Sequence, residues 1–136
     1  MRTESKHQLK QLRKWRIRNK LGGTKDRPRM SVCFTNENIH VQFIDDDAGV
    51  TLAAASTTSK AAPDRDKLAA NVAGAKIIGK LAAEAALAKG IKSVVFDRGG
   101  ARYHRSESKG KDGKRVLVLG KLATLAEAAR EAGLKF

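Results

Sequence analysis

The chain has 136 residues, enough for one hydrophobic core and too few for two, and 41% of them are hydrophobic. No run approaches the roughly 18 apolar residues of a membrane span, the basic start is not followed by the apolar stretch of a signal peptide, and the lone Cys33 excludes an internal disulfide. A formal net charge of +14 repels itself unless a polyanion is near, so a soluble intracellular protein is expected, with nucleic acid as its leading partner and an anionic membrane surface second.

The first 29 residues hold eleven Lys and Arg (Arg2, Lys6, Lys10, Arg13, Lys14, Arg16, Arg18, Lys20, Lys25, Arg27 and Arg29) against Glu4 and Asp26. Residues 1–26 read as a basic arm, disordered until a polyanion neutralises it and then gaining a turn or two of helix. Leu9, Leu12 and Trp15 share a stripe, and Trp15 could equally stack on a base or anchor the arm to the body.

From Met30 the pattern becomes regular. Met30, Val32 and Phe34 alternate with polar or small residues, "NEN" turns the chain, and Ile39, Val41 and Phe43 alternate in turn, which predicts a hairpin. After "DDDAG", residues 51–57 predict a third antiparallel strand with Leu52, Ala54 and Ser56 on one face. Beyond Pro63, Leu68, Val72, Ala75, Ile78, Leu81 and Ala85 fall on a helical stripe closing at Gly90. Gly74 and Gly79 each cost about 1 kcal/mol of helix propensity, which suggests a close approach to a sheet.

The continuous apolar run Ile91 to Phe96 predicts a buried strand, reached by a right-handed crossover and parallel to its neighbour. It ends in "DRGGARYH". A last helix carries Leu122, Leu125, Ala126, Ala129 and Ala132 to Gly133; Thr124 with Glu127 matches a capping box, yet Leu122 already belongs to the stripe. The fold class is therefore α/β: a small mixed sheet of three antiparallel strands plus one parallel strand, with two packed helices, preceded by a flexible basic arm. Residues 27–136 form one globular domain.

Three stretches, "RPRMSVCFTNENIHVQFIDDDAGVTLAAAST", "GIKSVVFDRGGARYH" and "LAEAAREAGLKF", closely resemble the bacterial form of the eighteenth large-subunit ribosomal protein, a family that binds 5S rRNA. The resemblance runs from the arm to Phe136 and is broken only by a basic insertion at residues 105–119, where the family passes from Tyr-His almost directly to the last helix. It implies a structural, non-enzymatic component of the ribosome's central protuberance, cytoplasmic, on 5S rRNA, touching 23S rRNA and neighbouring 5S-binding ribosomal proteins. No cofactor, metal or membrane partner is implied.

The chemistry of the glycine loop suits that role. Gly99 and Gly100 let the backbone approach a phosphate, Arg98 and Arg102 can fork onto its oxygens, and Tyr103 and His104 offer faces or edges to a base or ribose. The alternative is that the glycines only turn the chain and Tyr103 packs on the body. Expected RNA-contacting residues are Arg2, Lys6, Lys10, Arg13, Lys14, Trp15, Arg16, Arg18 and Lys20 in the arm, Arg27 and Arg29 just after it, then Arg98, Gly99, Gly100, Arg102, Tyr103, His104, Arg105 and Lys121. For the insertion, a protruding hairpin with a basic tip, its base packed on the body by Val116 to Leu119, competes with a solvated loop.

Two rival functions fit parts of the sequence. Asp45, Asp46, Asp47 and Asp97 at strand ends could serve a magnesium-dependent nuclease, and the charge alone would suit a non-specific nucleic-acid-binding protein. Cys33 and His40, two unlike ligands, do not make a zinc site.

Overall fold

The computed structural model describes residues 2–136. In chain order it comprises α1 (Thr3–Arg18), β1 (Arg29–Phe34), β2 (Ile39–Asp45), β3 (Val50–Ser56), α2 (Val72–Ala88), β4 (Val95–Asp97), β5 (Arg105–Lys109), β6 (Arg115–Leu119) and α3 (Lys121–Glu131). One sheet has the order β3-β2-β1-β4, antiparallel except for β1 and β4, and β5 and β6 form a separate two-stranded sheet. Among the described residues no helix is long and apolar enough to cross a membrane.

Strict alternation makes the first hairpin. The register pairs Met30 with Phe43, Val32 with Val41 and Phe34 with Ile39, so one face of β1 and β2 is wholly apolar, and five of these six side chains are buried. Ser31, Cys33, His40 and Gln42 fall on the other face. β3 departs from the expected phase. A bulge between Phe43 and Ile44 sets Ala53 opposite Phe43 and Ala55 opposite Val41, so Ala53 and Ala55 pack on the core together with Leu52, while Ala54 is exposed. Periodicity alone does not reveal an extra residue in one strand.

In α2 the buried arc is Gly74, Ala75, Ile78, Gly79, Ala82, Ala83 and Ala86. Of the expected stripe, Ala75 and Ile78 are buried, Leu68 precedes the helix, and Val72 is 46% exposed. The helix lies against both the sheet and α3, and the alanines on the α3 side carry little weight in a hydrophobic pattern. The Asn71 side chain caps the start by accepting from the Gly74 N–H at 2.7 Å. Gly79 permits close approach to α3, not to the sheet: a Cβ there would lie 2.5 Å from the Leu125 carbonyl oxygen and 2.9 Å from the Ala128 methyl.

α3 begins at Lys121 with Gly120 in the cap position. Thr124 therefore lies inside the first turn, and its Oγ1 is buried without a hydrogen-bond partner among the described residues. The helix stops at Gly133 (φ +110°), and the chain returns beside β4, where the Val94 N–H donates to the Lys135 carbonyl at 3.0 Å and Phe136 stacks on Phe96 with ring centroids 5.1 Å apart. β4 is shorter than the apolar run suggested, since Ile91 and Val94 are buried ahead of the ladder.

The insertion forms the β5–β6 hairpin. Its expected packing on the body does not occur: Val116, Val118 and Leu117 are 48%, 41% and 46% exposed, and only Leu119 is partly covered. A two-stranded ribbon projecting from a small body has nothing on either face to cover alternating side chains.

Candidate nucleic-acid interface

The glycine loop is held from below by a buried carboxylate. Asp97, 1% exposed, is the last residue of β4. Its Oδ1 accepts from the Gly99 N–H at 2.9 Å, and its Oδ2 accepts from Arg29 Nη1 at 2.9 Å. The Ala101 N–H then closes the turn onto the Arg98 carbonyl at 3.0 Å. Gly99 and Gly100 take φ +59° and +82°, in the left-handed region. A Cβ on Gly99 would meet the Val32 carbonyl oxygen at 2.9 Å. The glycines thus serve the turn, and they also leave Arg98 and Gly100 exposed at its crest.

Arg29, expected among the RNA-facing cations, is turned inward and is 6% exposed. Its Nε and Nη2 fork onto the two oxygens of Asp46, each at 2.9 Å, and the Gly23 N–H donates to Asp46 Oδ2 at 2.7 Å. The hydrogen bonds from Arg29 hold the Asp46 carboxyl below the ordinary carboxylate range, and the same contact raises Arg29 further above its already high value. Two of the four strand-end acids are therefore committed to one guanidinium. Asp45 Oδ1 accepts from the backbone N–H groups of Asp47 and Ala48. Among the described residues, no three His, Cys, Asp or Glu side chains are arranged to hold a metal.

Within the arm, Thr3 to Arg18 form one helix, α1, with no buried residue. Its C-terminal end is tied to the body by Arg18, whose Nε lies 3.6 Å from Asp97 Oδ2. Between helix and body runs a groove. Lys10, Lys14 and Arg18 form one wall, Arg98, Gly99 and Gly100 the other, and Ser31, Cys33 and Gln42, from the polar face of the sheet, form the floor.

The remaining expected residues divide. Arg2, Lys6, Arg13, Arg16, Lys20 and Arg27 are exposed outside this groove, and Arg27 Nε lies 3.5 Å from the Val94 carbonyl. Trp15 is 55% exposed, beside Gln8, Gln11 and Leu12 on a different side of α1, and is not seated on the body. Arg102, His104 and Lys121 border a second hollow with Phe34 and Gly120, and Arg105 is exposed at the base of the hairpin. Tyr103 packs against the core, donating to Glu127 Oε1 and accepting from Arg130 Nη1, both at 3.3 Å, as the packing alternative anticipated.

Sequence reasoning missed the groove floor and the Arg29 cluster. The floor was within reach, because residues alternating with a core face must line the opposite face. The cluster was not, because Gly23, Arg29, Asp46 and Asp97 meet only through tertiary pairing. The sequence model of the family described as ribosomal L18 of archaea, bacteria, mitochondria and chloroplast matches residues 4–136, from α1 to Phe136 and across the hairpin.

Proposed function

Because the chain belongs to the ribosomal L18 family, and is thereby a structural, rRNA-binding constituent of the large ribosomal subunit, we propose that its RNA is 5S rRNA. In this reading it helps attach 5S to 23S rRNA in the central protuberance, beside other 5S-binding proteins. The observation that carries the proposal is the groove, where Lys10, Lys14 and Arg18 face Arg98, Gly99 and Gly100 across Ser31, Cys33 and Gln42.

A phosphate backbone entering the groove meets cations on both walls, while Ser31 and Gln42 offer hydrogen bonds to ribose and phosphate oxygens from the floor. Charge on two sides favours a folded RNA strand over a flat anionic surface. Arg102, His104 and Lys121 continue the basic surface beyond the loop. Residues 1–26 act as the RNA-binding arm and 27–136 as the platform, with the Arg18–Asp97 pair joining the two.

The experiment incubates the full chain with 5S rRNA, tRNA and duplex DNA at two salt concentrations. Selective retention of intact 5S rRNA at the higher salt is expected. Equal retention of all three, or magnesium-dependent cleavage, overturns the proposal.

A further inference from the structure

The β5–β6 hairpin differs on its two sides. Its register sets Ser106 opposite Val118 and Ser108 opposite Val116, and His104, just before β5, shares their side, its Nε2 lying 3.2 Å from Ser106 Oγ. This side is small, carries no Lys, Arg, Asp or Glu, and is open to solvent. The other side mixes charge with two leucines: Arg105 lies opposite Leu119, Glu107 opposite Leu117 and Lys109 opposite Arg115, with Arg115 and Glu107 paired at 3.5 Å. Lys111 and Lys114 lie in the turn, and among the described residues neither they nor Lys109 forms an ion pair.

Two physical considerations require a partner. A lone two-stranded ribbon is marginal in water, and Val116 and Val118, which share one face at 48% and 41% exposure, are a liability unless something covers them. Charge identifies the partner as a polyanion: the 15 residues of the insertion carry five Lys and Arg against Glu107 and Asp112. Position agrees, because the hairpin grows from the His104–Gly120 junction, where the Gly120 N–H donates to the His104 carbonyl at 2.9 Å, next to Arg102 and Lys121.

We infer that the hairpin is a second RNA-contact element, laying its His104, Ser106, Ser108, Val116 and Val118 side on the minor groove of an A-form rRNA helix. That groove is wide and shallow and displays 2′-hydroxyls, which hydroxyl side chains can bond and small apolar side chains can pack against. The deep, narrow major groove of the same helix excludes a ribbon of this breadth. Lys109, Lys111 and Lys114 at the tip reach the flanking phosphates.

The inference rests on rRNA binding, not on the identity of the RNA as 5S. The test is directed hydroxyl-radical cleavage in large subunits reconstituted with the full chain, iron-EDTA being tethered at Asp112→Cys in a Cys33→Ser background, since Cys33 is exposed. Expected are cuts on both strands of one rRNA helix, facing each other across its minor groove. Subunits that contain the labelled chain but show no cuts above an untethered control overturn the inference, as do cuts confined to single-stranded rRNA. A crosslink from the same cysteine to a neighbouring protein in place of RNA does so too. In parallel, replacing Lys109, Lys111 and Lys114 with Gln is expected to lower the log-log salt slope of rRNA binding by about 0.7–0.9 for each phosphate the tip neutralises; an unchanged slope counts against the tip. Loss of 5S selectivity with hairpin cleavage intact would remove the 5S proposal and leave this one standing.

Discussion

Gly99 and Gly100 both stand at positive φ, but a Cβ on Gly99 would meet the Val32 carbonyl oxygen at 2.9 Å while one on Gly100 meets nothing within 4 Å. Gly100→Ala is therefore expected to cost about 1 kcal/mol, the conformational penalty alone, and Gly99→Ala clearly more. Urea denaturation of the two variants checks the order. RNA retention separates turn from contact: Gly100→Val should weaken it beyond what its stability loss explains, and retention that holds while stability falls leaves the glycines with the turn only. Asp46 sets a different test. Its carboxyl is held low by Arg29's hydrogen bonds, so its folded pKa lies below the unfolded value near 4. Its contribution is thus fully present above that unfolded value and is lost as pH falls through the lowered one. Melting followed from pH 6 to pH 2 should show a steeper acid-side loss for the native chain than for Asp46→Asn.

At the scale of elements, the contact between α2 and α3 depends on one missing methyl. Gly79→Ala gains about 1 kcal/mol of helix propensity, yet its Cβ would press on the Leu125 carbonyl at 2.5 Å. The helices must separate, and overpacking of this kind costs about 1–3 kcal/mol. A net fall in melting temperature is expected, and a rise would mean that α3 yields freely. The same pair shows what could be read from the sequence and what could not. The β1–β2 hairpin was visible because Met30, Val32, Val41 and Phe43 alternate without exception. The buried arc of α2 was displaced because Ala82, Ala83 and Ala86 are too small to stand out, and the start of α3 was ambiguous because Thr124 resembles a cap yet lies inside the helix. Of the candidate site, the exposed arm cations and the glycine loop followed from local sequence. The burial of Arg29 did not, since only folding brings it to Asp46 and Asp97.

Over the whole molecule, charge and burial are segregated. α1 carries much of the positive charge and has no buried residue, while the core lies wholly between the sheet, α2 and α3. Removing residues 1–20 should therefore leave the body folded, because Gly23, whose N–H and carbonyl both bond Asp46, remains. Far-ultraviolet circular dichroism should lose one helix and near-ultraviolet packing signals from the core should persist. The salt dependence of RNA binding should flatten by about 0.7–0.9 in log-log slope for each phosphate that the arm neutralises in the full chain. An unchanged slope would mean that α1 faces away from RNA.

The separation of Arg29 from Asp97 by 68 residues has a consequence in time. The β1–β2 and β2–β3 turns close over a few residues, whereas the parallel β1–β4 ladder must close a loop that includes β2, β3 and all of α2, at a larger entropic cost. The Asp97 carboxylate that receives the Gly99 N–H is fixed in place by Arg29 only with that late closure. A refolding chain thus shows its cations early and its shaped loop last, attracting polyanions indiscriminately before it can select among them. Interrupted refolding, with RNA added at increasing delays, should show salt-sensitive capture of any RNA at short delays and salt-resistant, selective capture only after the slowest phase is complete.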